Sequence, residues 1–316
     1  MEQLTDLKAI LHSKRANIYY LEKCRVMQKS GRVVYLTDEK VEKQYWNIPI
    51  ANTTVILLGT GTSITQAAVR MLASAGVLIG FSSGGGTPLL MGSEVEWLSP
   101  QSEYRPTEYI QGWLSFWFDE EKRLKAARQF QHLRIKFLRQ VWGNDRDLQN
   151  EGFYVDDAET EKALKGFSRQ IDKSDNVNEL LLVEAQFTKK LYRIAANRTR
   201  QSDFVREHGA NIADANGFLD HGNYLAYGLA ATTLWVLGIP HGFAVLHGKT
   251  RRGALVFDVA DLVKDSLILP WAFISASEEA SEQEFRQQCL QNFARHKALD
   301  FMFNAVKKLS LEGPKA

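Results

Sequence analysis

Residues 109–142 read YIQGWLSFWFDEEKRLKAARQFQHLRIKFLRQVW, and this stretch decides the fold class. Its aromatic and aliphatic side chains recur largely at helical spacing, which predicts a long helical segment. Further helical patterns follow at residues 158–170, 178–197, 215–237 and 282–309. The chain beyond this point is therefore expected to be an all-helical domain.

The residues before this stretch have the pattern of strands. Thr53–Leu58 (TTVILL) is a β-branched apolar run that suits a buried strand. Residues 16–27 and 33–36 also have strand character, and a Lys-Ser-Gly turn separates them. A short helix over 64–75, capped by Ser63, follows the buried strand.

A change of composition separates these two regions. Residues 99–106 (SPQSEYRP) have the proline and small polar residues of a linker. The predicted class is therefore α+β, with a small β-rich domain over 1–103 and a larger all-α catalytic domain over 107–316.

Composition narrows the function classes. The 316 residues include 39 basic and 37 acidic side chains, so a site for a polyanion must come from local clustering of charge. No apolar run approaches the roughly 20 residues that cross a bilayer. The mixed polar N-terminus does not resemble a signal peptide, so we expect a cytoplasmic protein without a membrane partner.

Two features that suggest other functions are weak. Cys24 and Cys289 lie far apart, which gives no support for a disulfide framework or a zinc site. Gly59–Ser63 (GTGTS) joins a strand to a helix, but it lacks the lysine and the spacing of a nucleotide-binding loop. A turn that needs glycine explains this segment better.

The first residue that suggests chemistry is Glu184. Its helical neighbours at i−4, i−3 and i+7 are Leu180, Leu181 and Leu191. A buried carboxylate must be neutralised, paired with a base or bound to a cation. The alternative is a carboxylate at the rim of this apolar face that reaches a base on another helix.

The second candidate lies between His247 and Asp261. A basic turn, HGKTRRG, precedes a short apolar run and two acids at i and i+3, Asp258 and Asp261. This spacing places both carboxylates on one side of a helix start, where the helix dipole also favours negative charge. Taken alone, these acids are better explained as a helix cap and a solvated side chain.

Together these residues predict a metal site. Carboxylates and one imidazole suit Mg²⁺ or Mn²⁺. Nearby bases could contact a phosphodiester backbone: Lys189, Lys190, Arg193, Arg198, Arg200, Lys249, Arg251 and Arg252. This combination indicates phosphoryl transfer on nucleic acid, in which the ion activates a hydroxyl and offsets charge on phosphate oxygens.

With these motifs in view, the chain resembles the integrases that insert new spacers into CRISPR arrays. The motifs that carry this resemblance are Glu184, Asn216–Leu219 (NGFL), Asn223–Gly228 (NYLAYG), Gly238–Pro240 (GIP), Gly242, His247 and Phe257–Leu262 (FDVADL). Leu57–Ile64 and the chain length are most similar to the type I-F branch.

The resemblance implies a catalytic set and a reaction. Glu184, His247 and Asp261 match the residues that bind the divalent ion in the family, and Asp258 matches a further acid of the catalytic site. The implied reaction is a transesterification, in which the 3′-hydroxyl of a captured DNA fragment attacks a phosphodiester of the CRISPR repeat. Cutting of branched DNA by the reverse or hydrolytic reaction is implied as well.

The resemblance also implies partners. The subunit would form a homodimer through the β-rich domain and would bind DNA. A second adaptation protein, fused to a helicase–nuclease in type I-F, would complete the assembly.

One position departs from the family pattern. Lys264 stands where many members have a glutamate. A charged lysine cannot bind a metal ion, but it could contact phosphate. Two other functions stay open at this point: a non-catalytic DNA-binding scaffold, and a general metal-dependent nuclease for branched DNA.

Overall fold

The structure is a computed structural model that describes residues 17–37, 44–82, 96–98, 107–207, 214–248 and 253–315. The chain divides into two compact units, residues 1–105 and 106–316. Strands dominate the first unit and helices the second, so the predicted α+β class is confirmed. The predicted linker at 99–106 lies outside the described residues.

Within its described residues, the first unit contains two four-stranded sheets and one α-helix. Its elements are β1 (Asn17–Leu21), β2 (Cys24–Lys29), β3 (Arg32–Thr37), β4 (Gln44–Ile48), β5 (Thr53–Leu58), β6 (Ser63–Ile64), α1 (Gln66–Ser74), β7 (Leu78–Phe81) and β8 (Glu96–Leu98). The strand orders are β1-β5-β7-β8 and β4-β3-β2-β6. In the first sheet β5 pairs in parallel with β1 and β7, and all six of its residues are buried.

Two details of the first unit differ from the sequence-based expectation. The strand predicted over 16–27 is two strands in different sheets, because the chain turns at Lys23, whose φ is 48°. The cap of α1 is Thr65, whose hydroxyl accepts a hydrogen bond from the Ala68 amide, and not Ser63, which lies in β6.

In the described residues of the second unit, the regular elements are helices. The helices are α2 (Glu108–Trp117), α3 (Glu120–Asn144), α4 (Arg146–Asn150), α5 (Ala158–Lys173), α6 (Val177–Arg198), α7 (Ala215–Leu237), α8 (Ala254–Leu267), α9 (Leu269–Ser277), α10 (Glu282–Arg295) and α11 (Ala298–Glu312). The patterns at 158–170, 178–197 and 215–237 therefore predicted three helices to within a few residues.

Two of the predicted long segments are pairs of helices. The stretch 109–142 is broken at Asp119, whose side chain caps α3 by accepting a hydrogen bond from the Lys122 amide. The stretch 282–309 is broken at Lys297, which has the left-handed φ of 53°. Hydrophobic periodicity persists across such short breaks, because both helices bury a face in the same core.

The first and last helices of this unit lie against each other. Helix α11 packs against α2, α7 and α8. A Cβ atom on Gly112 of α2 would lie 1.8 Å from the carbonyl oxygen of Ser310 of α11. The contact therefore requires glycine at this position, since any side chain would force the two backbones apart.

None of the helices in the described part of the chain has the length and apolar character to span a bilayer.

Candidate active site

Helix α6 presents Glu184 on its buried face. The Asn176 side chain caps this helix by accepting a hydrogen bond from the Glu179 amide. Leu180, Phe187 and Leu191 on the same face are buried, and the side chain of Glu184 is 14% exposed. The predicted position of this carboxylate on an apolar face is confirmed.

A buried arginine on α3 satisfies Glu184. The guanidinium of Arg134 donates to Glu184 Oε1 at 2.7 Å, to Thr188 Oγ1 at 2.8 Å and to Asp265 Oδ2 at 2.5 Å. Its side chain is only 1% exposed, and Nη1 lies 4.0 Å from Asp261 Oδ2. One guanidinium therefore joins carboxylates from α6 and α8.

The sequence analysis did not identify Arg134 or Asp265. Arg134 carries the same signal that revealed Glu184, because its neighbours Phe130, Phe137 and Leu138 are buried and place it on the apolar face of α3. A charged residue in such a pattern requires a partner. The identity of the partner is set by the packing of helices and cannot be read from the spacing.

Asp261 lies on α8 at the centre of the cluster. It is 2% exposed, and its Oδ2 accepts no hydrogen bond from the described residues. The ammonium of Lys264 forms an ion pair with Oδ1 at 2.5 Å. His247 Nε2 lies 3.7 Å from Oδ2.

Asp258 fixes the loop that carries His247. Its carboxylate accepts the backbone N–H groups of Val245, Leu246 and His247 at 2.7, 3.1 and 3.0 Å. It also lies 2.8 Å from Nδ1 of His247. Asp258 is the fifth residue of α8, so the prediction that it lies at the helix start is wrong. Its carboxylate instead accepts hydrogen bonds from the preceding loop.

Two tryptophans of α2 hold the same loop from the other side. The indole N–H of Trp113 donates to the Phe243 carbonyl at 3.0 Å, and that of Trp117 donates to the Ala244 carbonyl at 2.7 Å. With Asp258, these bonds fix the backbone that leads into His247. The imidazole is thereby oriented with Nδ1 toward Asp258 and Nε2 toward Asp261.

The electrostatics of the cluster keep its charges in place. Burial opposes ionisation of Asp261, but Lys264, His247 and Arg134 outweigh it and hold the pKa of Asp261 below its ordinary value. Burial also opposes the charged form of Lys264, yet Asp261 raises the pKa of this lysine. For His247, the hydrogen bond to Asp258 and the charge of Asp261 outweigh burial and raise the pKa.

The donor set fits a hard divalent cation only in part as it stands. The described residues contain no group of three acidic, cysteine or histidine side chains already arranged to hold a metal ion. Oδ2 of Asp261 accepts no hydrogen bond from the described residues and lies 3.7 Å from Nε2 of His247, so these two atoms are available as metal ligands. Glu184, the third expected ligand, is paired with Arg134.

The predicted DNA-contacting bases fall into three groups: exposed bases, bases in ion pairs, and bases outside the described residues. Lys189, Arg193 and Arg200 are exposed, as is Lys190. Arg198 is 13% exposed and pairs with Asp157 at 2.9 Å, so little of its guanidinium is available to a phosphate. Lys264 is 21% exposed and pairs with Asp261.

The remaining predicted bases, Lys249, Arg251 and Arg252, lie outside the described residues.

Comparisons with known proteins give a consistent result. The family model described as "CRISPR associated protein Cas1" matches residues 18–297. The chain is 60% identical over 311 residues to a CRISPR-associated endonuclease Cas1 of Pseudomonas aeruginosa, and the match covers 97% of this chain and 96% of the relative.

Solved structures share the fold at low sequence identity. A Cas1 protein in complex with DNA, TtCas1, has a TM-score of 0.62 and 21% identity, and the match covers 93% of this chain and 91% of that one. A Cas6-RT-Cas1 chain from a complex with Cas2 has a TM-score of 0.60 and 12% identity, and the match covers 94% of this chain and 34% of that chain.

Proposed function

The chain belongs to the family of CRISPR-associated Cas1 proteins, and on that premise we propose that it is a DNA endonuclease and spacer integrase. One observation carries the assignment of its site. Oδ2 of Asp261 lies 3.7 Å from Nε2 of His247, without a hydrogen bond between them, beside the carboxylate of Glu184 and the cations of Arg134 and Lys264. Such a cluster suits the transfer of a charged phosphoryl group.

We propose that Mg²⁺ or Mn²⁺ is held by Asp261, His247 and Glu184. When bound, such an ion would activate the attacking hydroxyl and offset charge on the phosphate oxygens. The hard oxygen ligands and the single imidazole are typical of both metals. Glu184 would have to exchange its pairing with Arg134 for the ion.

The other residues of the cluster have supporting roles in this proposal. Asp258 fixes the ring of His247, so that Nε2 stays directed toward Asp261. Arg134 holds Glu184 and Asp265 in position. Lys264 places a positive charge at Asp261, and this charge could also contact a DNA phosphate that enters the site.

The proposed reaction is a transesterification. The 3′-hydroxyl oxygen of a captured DNA fragment forms a bond to phosphorus in the CRISPR repeat, and the bond to the former 3′-oxygen breaks. The hydroxyl proton leaves and the released 3′-oxygen gains one. Water in place of the hydroxyl would give hydrolysis, which accounts for cutting of branched DNA.

The proposed partners are DNA, a second copy of this chain and a second adaptation protein. DNA and the second protein are supported by the relatives in complex with DNA and with Cas2. The homodimer, formed through the β-rich domain, and the fusion of the second protein to a helicase–nuclease remain proposals from the family resemblance.

A cleavage assay on branched DNA tests this function. We expect the wild-type chain to cut in Mg²⁺ or Mn²⁺ and to stop when a chelator is added. Asp261→Asn and His247→Ala should lose strand transfer and cutting by at least about 100-fold, which is the scale of losing one key transition-state interaction. Exposed Asp156→Asn is the matched control and should keep full activity.

A second readout separates loss of metal binding from loss of folding. Mn²⁺ should raise the Tm of the wild-type chain, because an ion that binds only the folded state stabilises it, and should leave the Tm of Asp261→Asn unchanged. Wild-type turnover in Asp261→Asn would reject the site. DNA binding without cutting in any metal would favour the non-catalytic scaffold instead.

A further inference from the structure

A second basic surface lies on the helical unit away from the cluster just described. Helices α3 and α11 border an open cleft of about 600 Å³, to which Lys315 and Asp172 also contribute. We call it the α3–α11 groove. Its charged lining residues are Lys125, Arg128, Lys136, Lys308, Lys315 and Asp172.

The charge of the groove is unbalanced. Five lysine and arginine side chains face one carboxylate, and that carboxylate, Asp172, already lies 2.8 Å from Nε2 of His132. Lys125 and Lys136 form no ion pair with a carboxylate of the described residues, and both are exposed. Lys308 and Lys315 share Glu312 at the long distances of 4.0 and 3.8 Å.

The groove and the active-site cluster lie on opposite faces of α3. At about 100° per residue, Lys125 and Lys136 are about 160–180° around the helix from Arg134. Arg134 is buried against α6 and α8, whereas these lysines are exposed. A ligand in the groove would therefore not occupy the reacting site.

We propose that the α3–α11 groove binds the phosphate backbone of DNA at a distance from the phosphodiester that reacts. Lys125 and Lys136 are about 16 Å apart along the helix, which corresponds to about five nucleotides of one strand. Cations on α3 and α11 border both sides of the cleft, as suits a ligand charged along its whole length.

The composition of the groove favours nucleic acid over an acidic protein. Four of its five cations are lysines. Lysine is depleted at protein–protein interfaces, whereas lysine and arginine neutralise phosphates in complexes with DNA. The proposal rests on the proposed function only in taking DNA as the polyanion.

The test compares two triple variants of equal charge. The groove variant is Lys125→Gln/Lys136→Gln/Lys308→Gln. The control is Arg146→Gln/Lys162→Gln/Arg169→Gln, which removes three exposed cations that do not line the groove. Binding of a fluorescent branched duplex is measured by anisotropy in EDTA, from 50 to 200 mM salt, after the Tm has shown that both variants fold.

We expect the groove variant to flatten the slope of log Kd against log salt by about 2–3, since each lost phosphate contact removes about 0.9. The control should keep the wild-type slope. Equal slopes in the two variants would overturn the proposal. So would a groove variant that loses binding to polyglutamate and keeps the wild-type slope on DNA, because this outcome indicates an acidic protein partner.

This experiment is independent of the reaction. Binding is measured without metal, and cutting by the wild-type chain is assayed separately with Mn²⁺. If the wild-type chain does not cut but the groove variant has a flatter salt slope, the DNA-binding groove is supported and the nuclease function is rejected. If the wild-type chain cuts but the groove and control variants have equal salt slopes, the nuclease function is supported and the DNA-binding groove is rejected.

Discussion

Two of the arginine–glutamate pairs of helix α3 have the same shortest distance but different surroundings. Arg134 Nη1 lies 2.7 Å from Glu184 Oε1, and Arg139 Nη1 lies 2.7 Å from Glu161 Oε2. The arginine side chains are 1% and 39% exposed. Water screens the second pair and not the first, so the two should differ widely in what their loss costs.

The largest expected effect is on the buried pair. Arg134→Met should lower the free energy of unfolding by about 3–5 kcal/mol, because it leaves buried carboxylates without their cation. Arg139→Met is the matched control on the same helix and should cost at most about 1 kcal/mol. Urea unfolding of both variants measures the difference.

A conservative variant sharpens this comparison. Arg134→Lys keeps the charge but cannot reach Glu184, Thr188 and Asp265 together, as the forked guanidinium does. We expect an intermediate loss. Equal losses in Arg134→Met and Arg139→Met would show that burial does not separate the two pairs.

A smaller effect is expected at Thr188, which links the members of the buried pair. Its hydroxyl accepts from Arg134 at 2.8 Å and donates to Glu184 at 2.9 Å. Thr188→Val should lower the free energy of unfolding by about 1–3 kcal/mol, because the charged groups of Arg134 and Glu184 each lose a hydrogen bond.

The control for Thr188 is a buried threonine without charged partners. Among the described residues, the hydroxyl of Thr232 donates only to the Gly228 carbonyl of its own helix, at 2.8 Å. Thr232→Val should therefore cost less than Thr188→Val in the same urea titration. The reverse order would indicate that the bonds of Thr188 contribute little.

The smallest effect is expected at the exposed pair and is a change with pH. Arg139 and Lys165 lower the pKa of Glu161 from 4.5 to about 2 through their hydrogen bonds. A lowered folded-state pKa stabilises the protein above pH 4.5, and this contribution is lost as the pH falls toward 2. In Glu161→Gln the stability should vary less between pH 5 and 2, as followed by Tm.

A wild-type pH profile in Glu161→Gln would mean that the exposed pair makes no contribution at all. High salt provides a further distinction. It should diminish the contribution of Glu161 and leave that of Arg134 largely unchanged, because salt screens exposed charges much more than buried ones.

The two pairs also explain how far the sequence could predict the site. Glu184 was recognisable because a carboxylate interrupts an apolar helical face. Arg134 has the same signal, but nothing in the spacing says that it meets α6 and α8. Which charges meet depends on the packing of three helices, and local pattern does not contain it.

For the fold as well, local apolar patterns predicted the elements, whereas features set by tertiary packing were missed. The buried strand Thr53–Leu58 and helices such as α7 were predictable from their apolar patterns. The break at Asp119 was missed, since the core-facing period continues through it. The role of Asp258 was missed as well, because its partners are backbone amides of a loop whose path is set by Trp113 and Trp117.

The close contact of Gly112 with Ser310 has a consequence for the order in which the helical unit is completed. Helix α2 is synthesised near the beginning of this unit, and its partner α11 is synthesised near the end. A nascent chain on the ribosome already contains Glu184, His247 and Asp261 while α2 still lacks the surface it packs against. The cluster would therefore be fully supported only late in translation, and a stalled fragment would lack that support.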